Sequence, residues 1–386
     1  MKRVIHYPLI LLFLLMGCGT ENIPEEIEKD PFYLDENGIT IKCVRVAVGD
    51  TFVIDGVSYE AVDRALLEVR IEEGADLSRL CTSRIRDMSY LFSRATTFNE
   101  PIGNWDMSDV RDVDSMFRQA REFNQPIGAW DLGNVTNMTA MFDRADSFNQ
   151  DIGDWDVSNV VYMGGVFSSA RSFNQDIGRW NVSNVERAPA LFSGAVSFNQ
   201  DIGNWDVSSM THVWSMFSSA IAFNQDISRW DVSNMRVMSN MFSNATSFNQ
   251  DLNEWDLSSA ESINDMFHRA TSFNGNISDW DLSNVEEMSG MFYGATSFNR
   301  DIGNWDLSKV KYIGWMFINA TSFNQDISKW DVSKVIFMER MFEDASSFDQ
   351  DLSGWCVSNF DSEPEQFSKG SALSEHHKPV WGTCPD

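Results

Sequence analysis

Histidine is nearly missing: the chain has five in 386 residues, and none recurs with any period. His6, His212, His268 and the pair His376-His377 stand apart from one another, and no HExxH, GxSxG or Gly-rich phosphate loop accompanies them. Carboxylates abound, but a glycosidase needs one special pair, whereas these repeat throughout. No enzymatic reading survives these absences. Cysteine is also sparse, five residues with no CxxC, which leaves a structural metal site little to stand on. Cationic residues are outnumbered, 29 Lys and Arg against 57 Asp and Glu, for a formal net charge of −28. That balance excludes nucleic acid, whose phosphates would be repelled, and electrostatic docking on an anionic membrane face. It fits a solvated exported surface, a cationic partner or bound cations. The apolar run Leu9–Met16 is too short for a bilayer-spanning helix, which needs about 20 residues.

What is present is repetition. Tryptophan recurs from Trp105 to Trp355 every 25 residues without an insertion. Phenylalanine does the same from Phe98 to Phe348 and again from Phe92 to Phe342, with Phe367 where a twelfth copy of the second column would fall. Within one unit, Val160, Met163, Val166, Phe167 and Ala170 have helical spacing, with Ser158 or Asn159 as N-cap. Trp155 and Val157 alternate with Asp156 as in a short strand. The sequence therefore predicts an α/β solenoid, a leucine-rich-repeat-like coil over 85–355 in which each unit pairs a helical segment with one or two short strands. No unit can bury its apolar face alone, so stacking makes the core continuous.

Stacking places identical residues about 4.8 Å apart, which would make a rod about 50 Å long. The Trp and Phe columns become aromatic ladders, and the Asn column (Asn99, Asn124, Asn149 and onward to Asn324) becomes an amide ladder in which each side chain donates to the next. Two acidic columns follow, one after Trp (Asp106 to Asp331) and one after Gln (Asp151 to Asp351). They read either as turn residues accepting backbone N–H bonds or as Ca²⁺ ligands between turns, although the GGxGxD calcium signature is absent. Otherwise the sequence calls for no cofactor.

Columns that never vary are scaffold; columns that vary face solvent and are free to be tuned for a ligand. The most variable stretch follows the Val/Met column and carries large aromatics at otherwise polar positions. Tyr162, His212, Trp214, Tyr312, Trp315 and Phe337 are the candidate ligand face. The competing reading is that these rings pack locally against neighbouring units.

The flanks differ in style. Residues 31–84 predict a small α+β cap, with Asp55-Gly56 as a hairpin turn and 61–73 helical. Residues 356–386 predict a C-terminal cap. Four cysteines lie outside the leader, two before the array and two at its end; the pairing read from this placement is Cys43–Cys81 and Cys356–Cys384, each stapling one cap. At the start, Lys2 and Arg3 precede the apolar run, and Leu15-Met16-Gly17-Cys18 reads as a lipobox: 1–17 a lipoprotein signal peptide, Cys18 the acylated first mature residue, 18–30 a flexible acidic tether. A plain secretory signal is the alternative. Gly19, in place of an Asp after the acylated cysteine, favours the outer membrane.

The unit MF-x-x-A-x-x-FNQDI-x-x-WDVSNV-x-x-M resembles the repeat of BspA-like, leucine-rich-repeat-type bacterial surface lipoproteins, first noted in mycoplasma lipoproteins, over residues 85–370. The tail from Trp355-Cys356 to Cys384-Pro385 resembles the closing cap of such proteins from the Bacteroidetes. The resemblance implies a cell-surface solenoid that adheres to or binds a partner, with no catalytic motif to carry over. The expected partner is an extracellular protein or glycan, reached by a protein held to the membrane through its lipid; a purely structural envelope role is the remaining alternative.

Overall fold

The computed structural model describes residues 30–385; the leader and Cys18 lie outside the described residues. Two antiparallel hairpins open the fold: β1 (Phe32–Leu34) with β2 (Ile41–Cys43), and β3 (Thr51–Ile54) with β4 (Val57–Ala61). The second turns at Asp55-Gly56, both with positive φ (47° and 80°), as its two-residue loop requires. Helix α1 (Arg64–Glu72) follows, its first turn capped by Asp63, which accepts the Leu66 N–H. Residues Leu77–Arg79 make one 3₁₀ turn, and β5 (Leu80–Cys81) pairs with β4 in parallel.

From there to residue 360 the chain is a solenoid of 25-residue coils containing no helix among the described residues. The helical half of each unit, and with it the α/β character expected for the array, is replaced by a run of tight turns. Alternate residues explain why. In one coil the N–H groups of Met138, Ala140, Phe142 and Arg144 bond to carbonyls of Tyr162, Gly164, Val166 and Ser168 in the next coil. The N–H groups between them, of Met141, Asp143 and Ala145, turn back to the residue three before. Two positions per coil, four residues apart, have positive φ, as at Ala140 (52°) and Arg144 (56°), and such residues cannot continue a right-handed helix. Successive three-residue turns also bring every third or fourth side chain to one side. Val160, Met163, Val166, Phe167 and Ala170 are accordingly all buried, so the burial pattern is the expected one on a different backbone.

The extended element is displaced too. Trp155–Val157 is not a strand; Trp155 and Val160 each close a turn onto the residue three before. The one β-bridge per coil falls at Asn137, Tyr162, Arg187 and their equivalents, parallel from Asp87 to Phe337.

Inside the coils run the aromatic ladders. Phe142 and Phe148 stack within one coil at 4.0 Å between centroids, and Phe142 meets Phe117 and Phe167 of the adjacent coils at 5.5 and 5.8 Å. Trp155 stacks between Trp130 and Trp180 at 6.4 and 6.3 Å. These are offset stacks, wider than the expected 4.8 Å because the rings sit obliquely past one another. Each indole N–H of the ladder donates to the Ile or Leu carbonyl 28 residues back, as Trp155 Nε1 does to Ile127 O at 3.1 Å and Trp280 Nε1 to Leu252 O. The amide ladder forms, but not from one asparagine side chain to the next. Asn124 Oδ1 accepts the backbone N–H of Asn149 (3.0 Å) and Gln150 Nε2 (2.9 Å), so the side chain bridges to the next coil's main chain. Asn159 caps no helix: its Nδ2 donates to Gly133 O of the preceding coil at 2.7 Å.

Both ends of the stack are closed in register. Trp105 Nε1 donates to Leu77 O, again 28 residues back, so the 3₁₀ turn stands where a preceding coil's Ile would be. Lys42 reaches across to Asp106 Oδ1 and Ser108 Oγ, both at 2.9 Å, and Thr82 Oγ1 donates to Asp106 O. At the far end Phe342 N donates to Phe367 O, but the Phe367 ring lies edge-on to Phe342 at 88° and Trp381 edge-on to Phe367 at 84°. The parallel stack stops there. Disulfides Cys43–Cys81 and Cys356–Cys384 join residues 38 and 28 apart, in the pairing read from the sequence.

Candidate binding surface

The bridge row decides where the variable residues sit. Each coil contributes one residue to it, and parallel pairing fixes Tyr162, His212, Tyr312 and Phe337 above one another in a single column. The flanking residues of each bridge, such as Val160 and Met163 around Tyr162, point inward and are buried. Trp214 and Trp315 lie two and three positions further along their own coils, in adjacent columns of the same face.

Exposure divides the six. Tyr162 (46%), Trp214 (46%), Trp315 (42%) and Tyr312 (38%) are exposed, whereas His212 and Phe337 are half-buried. His212 Nδ1 lies 2.8 Å from Thr211 Oγ1. Phe337 meets Trp315 edge to face, with centroids at 4.9 Å, and its ring fills the space over Gly314, where an added Cβ would collide with it. Trp315 itself has φ of 60°, in a column where Gly165 and Gly290 take the same left-handed conformation. A large ring is thus held at a position that backbone energetics would give to glycine or asparagine.

The six residues form two groups, not one. Tyr162 lies two coils before the coil that carries both His212 and Trp214; Tyr312, Trp315 and Phe337 belong to two adjacent coils at the other end. Four coils separate His212 from Tyr312, about 19 Å at strand spacing. Between them lies an open polar groove of about 880 Å³ lined by Arg236, Ser258, Glu261, Asn284, Glu286 and Lys309 among others. Its lining carries two cations: Arg236 pairs with Glu261, and Lys309 donates to Asn284 Oδ1, while Lys311 beside the groove pairs with Glu286 at 2.7 Å. One exposed ring and one exposed aliphatic side chain on this face were not among the candidates. Tyr90 (56%) shares the Trp315 column, nine coils earlier, and donates its Oη to Asp114; Ile336 (55%) adjoins Phe337. Treating the Trp315 column like the bridge row would have found Tyr90.

The acidic columns are occupied by the backbone. Asp156 Oδ1 accepts the Ser158 N–H at 3.0 Å, and Asp151, Asp176, Asp201, Asp226, Asp326 and Asp351 each accept the N–H two residues on. The following serines, by side chain and backbone, hold Asp156, Asp206, Asp226 and Asp326 below the usual carboxylate range. Among the described residues, no group of three or more His, Cys, Asp or Glu side chains is placed to hold a metal ion. No helix among them is long and apolar enough to cross a membrane.

No curated protein and no solved structure matches the chain. The family described as "Mycoplasma protein of unknown function, DUF285" matches four overlapping stretches, residues 64–178, 126–220, 163–280 and 266–381. Together they take in all the coils, the N-terminal flank from residue 64 and most of the C-terminal flank, and the chain belongs to that family of repeat proteins.

Proposed function

We propose that the protein is a non-enzymatic, surface-anchored binding lipoprotein of the BspA-like kind, which engages an extracellular protein or cell-surface partner through the bridge-row face. The observation that supports this reading is the pair of exposed aromatic groups flanking a polar groove on an otherwise hydrophilic rod. Exposed tryptophan and tyrosine in this setting serve as binding anchors, because they bury much area for little lost side-chain freedom. The backbone at Trp315 bears strain of about 1–2 kcal/mol for a ring that contributes little to the core. Anchoring rests on Cys18, acylated after removal of residues 1–17 and leaving the rod on a short tether at the outer membrane.

Carbohydrate is the second reading, favoured by the polar lining between the two aromatic groups, which suits an elongated sugar stacked at its ends. The test uses substitutions the protein already makes in the same columns: Tyr312→Ser, Trp315→Gly and Phe337→Ser together, and separately Trp214→Ser. The soluble fragment after Cys18 is screened on a protein and glycan array. Loss of at least tenfold in affinity for the captured ligand, with no drop in melting temperature, is the expected result. Unchanged affinity in both variants would remove this face from consideration.

A further inference from the structure

We infer a second, separate site: an anion-binding groove on the N-terminal half of the rod, fitted to a short sulfated or phosphorylated saccharide. Three successive coils each place a charged residue in the same two columns. Arg121, Arg144 and Arg171 line an open groove of about 540 Å³ together with Asp146 and Ser169. Asp146 is the one carboxylate there. It lies 3.8 Å from Arg121 through Oδ2 and 3.7 Å from Arg171 through Oδ1, so two guanidiniums share it at the long edge of ion-pair range. Arg144 has no carboxylate partner among the described residues. Arg118, alongside, is neutralised by Asp143 at 3.1 Å.

The groove thus carries two uncompensated positive charges on a chain of net charge −28. The larger groove has the opposite balance, because Glu261, Glu286 and Glu287 outnumber its Arg236 and Lys309, and Arg236 is held by Glu261. Three guanidiniums with one shared carboxylate leave N–H donors in this groove for an anion. Guanidinium presents a planar fork of donors matched to the oxyanions of sulfate and phosphate. Arg121 and Arg171 lie two coils apart, about 10 Å at strand spacing, with Arg144 between them, which suits a ligand bearing more than one anion. The lining has no apolar residue, so a peptide's side chains would gain nothing beyond charge, whereas a saccharide is polar throughout. A long polyanion such as DNA would meet the rest of the acidic surface and be repelled. None of these residues belongs to the aromatic face, and either site can fail without the other.

The test is titration calorimetry of the soluble fragment with a sulfated tetrasaccharide, its phosphorylated analogue, its unsulfated parent and a DNA oligonucleotide, at 50 and 150 mM salt. The comparison is a variant carrying Arg121→Thr, Arg144→Ser and Arg171→Thr, residues the protein itself uses in these columns at Thr96, Ser169 and Thr246. The expected result is binding of the sulfated or the phosphorylated sugar, whichever is tighter naming the natural oxyanion. Affinity should fall at least tenfold in the variant and weaken with salt, with the variant's melting temperature unchanged. Equal binding of the unsulfated parent, equal binding by the variant, or preference for DNA would each overturn the proposal. The Tyr312, Trp315 and Phe337 variant should retain this binding in full.

Discussion

Replacing Trp305 by alanine should cost the array about 3–5 kcal/mol, the range for emptying a buried Trp site. Trp305 is 3% exposed, stacks on Trp280 and Trp330 at 6.2 and 6.3 Å, and lies 6.3 Å from Phe292. Its Nε1 donates to Ile277 O at 3.0 Å, a net contribution of about 1 kcal/mol. Ile277 O also accepts Trp280 N, so losing the indole does not strip that carbonyl of every donor. Trp305→Phe, which keeps a ring but loses the N–H, should therefore cost roughly 1–3 kcal/mol. Urea unfolding followed by circular dichroism gives both numbers. The sharper test is a pair of double-mutant cycles. Trp305 and Trp330 are in contact and should couple by about 0.5–3 kcal/mol, whereas Trp130 and Trp305, seven coils apart, should be additive within about 0.5 kcal/mol. A nearest-neighbour stack requires that difference. Equal coupling in the two cycles, or a Trp305→Ala cost below about 1 kcal/mol, would refute the view that the ladders carry stability coil by coil.

Two further outcomes follow from the caps. Asp349 takes the place of Asn in the ladder and accepts the Ser374 N–H, Ser374 Oγ and His377 Nδ1, which hold its pKa down to about 2. Its folded value is below the ordinary 3.8, so its contribution is complete above about pH 4 and is lost as pH falls through 2. Amide exchange in residues 374–385 should accelerate over that window, and Asp349→Asn should flatten the response; an unchanged acid profile in that variant would show that the last rung is not the acid-sensitive one. At the other end Asp106 is almost fully buried. Burial opposes its charge, but Ser83, Ser108 and Lys42 together hold its pKa below the usual range. Lys42→Met leaves that carboxylate without its cation and should lower stability by about 3 kcal/mol, and a melting temperature equal to the parent's would count against the pair.

Most of the scaffold could be read from the residues because periodicity reports burial directly. Trp155, Phe148 and Phe142 recur at one period because one interior receives them all, and the disulfide pairs followed from where the cysteines stand. The backbone could not be read the same way. Val160, Met163, Val166, Phe167 and Ala170 have the same spacing whether a helix or a run of three-residue turns carries them. What separates the two is the pair of left-handed positions in each coil, occupied here by Ala140, Ala190 and Trp315 as readily as by Gly165 in one column, and by Arg144 and Ser169 as readily as by Gly194 in the other. Glycine marks them in only a few copies, so no single unit announces them; only the columns as a whole do. The candidate face was legible as variability, since Tyr162, His212, Tyr312 and Phe337 do share a row. That they fall into two groups depends on how many coils intervene. The arginine groove was invisible because Arg121 and Arg144 lie in different columns that only the turns bring together.

The termination of the stack has a consequence for how such a protein changes. Leu77 O and Phe367 O each accept a hydrogen bond in register with the columns they close, so each cap meets only the coil next to it in the main-chain pattern that coils use with one another. Insertion or deletion of one 25-residue cassette anywhere between them leaves both joints as they were. Reach becomes a quantity that changes in steps of about 4.8 Å, without any new interface having to be invented.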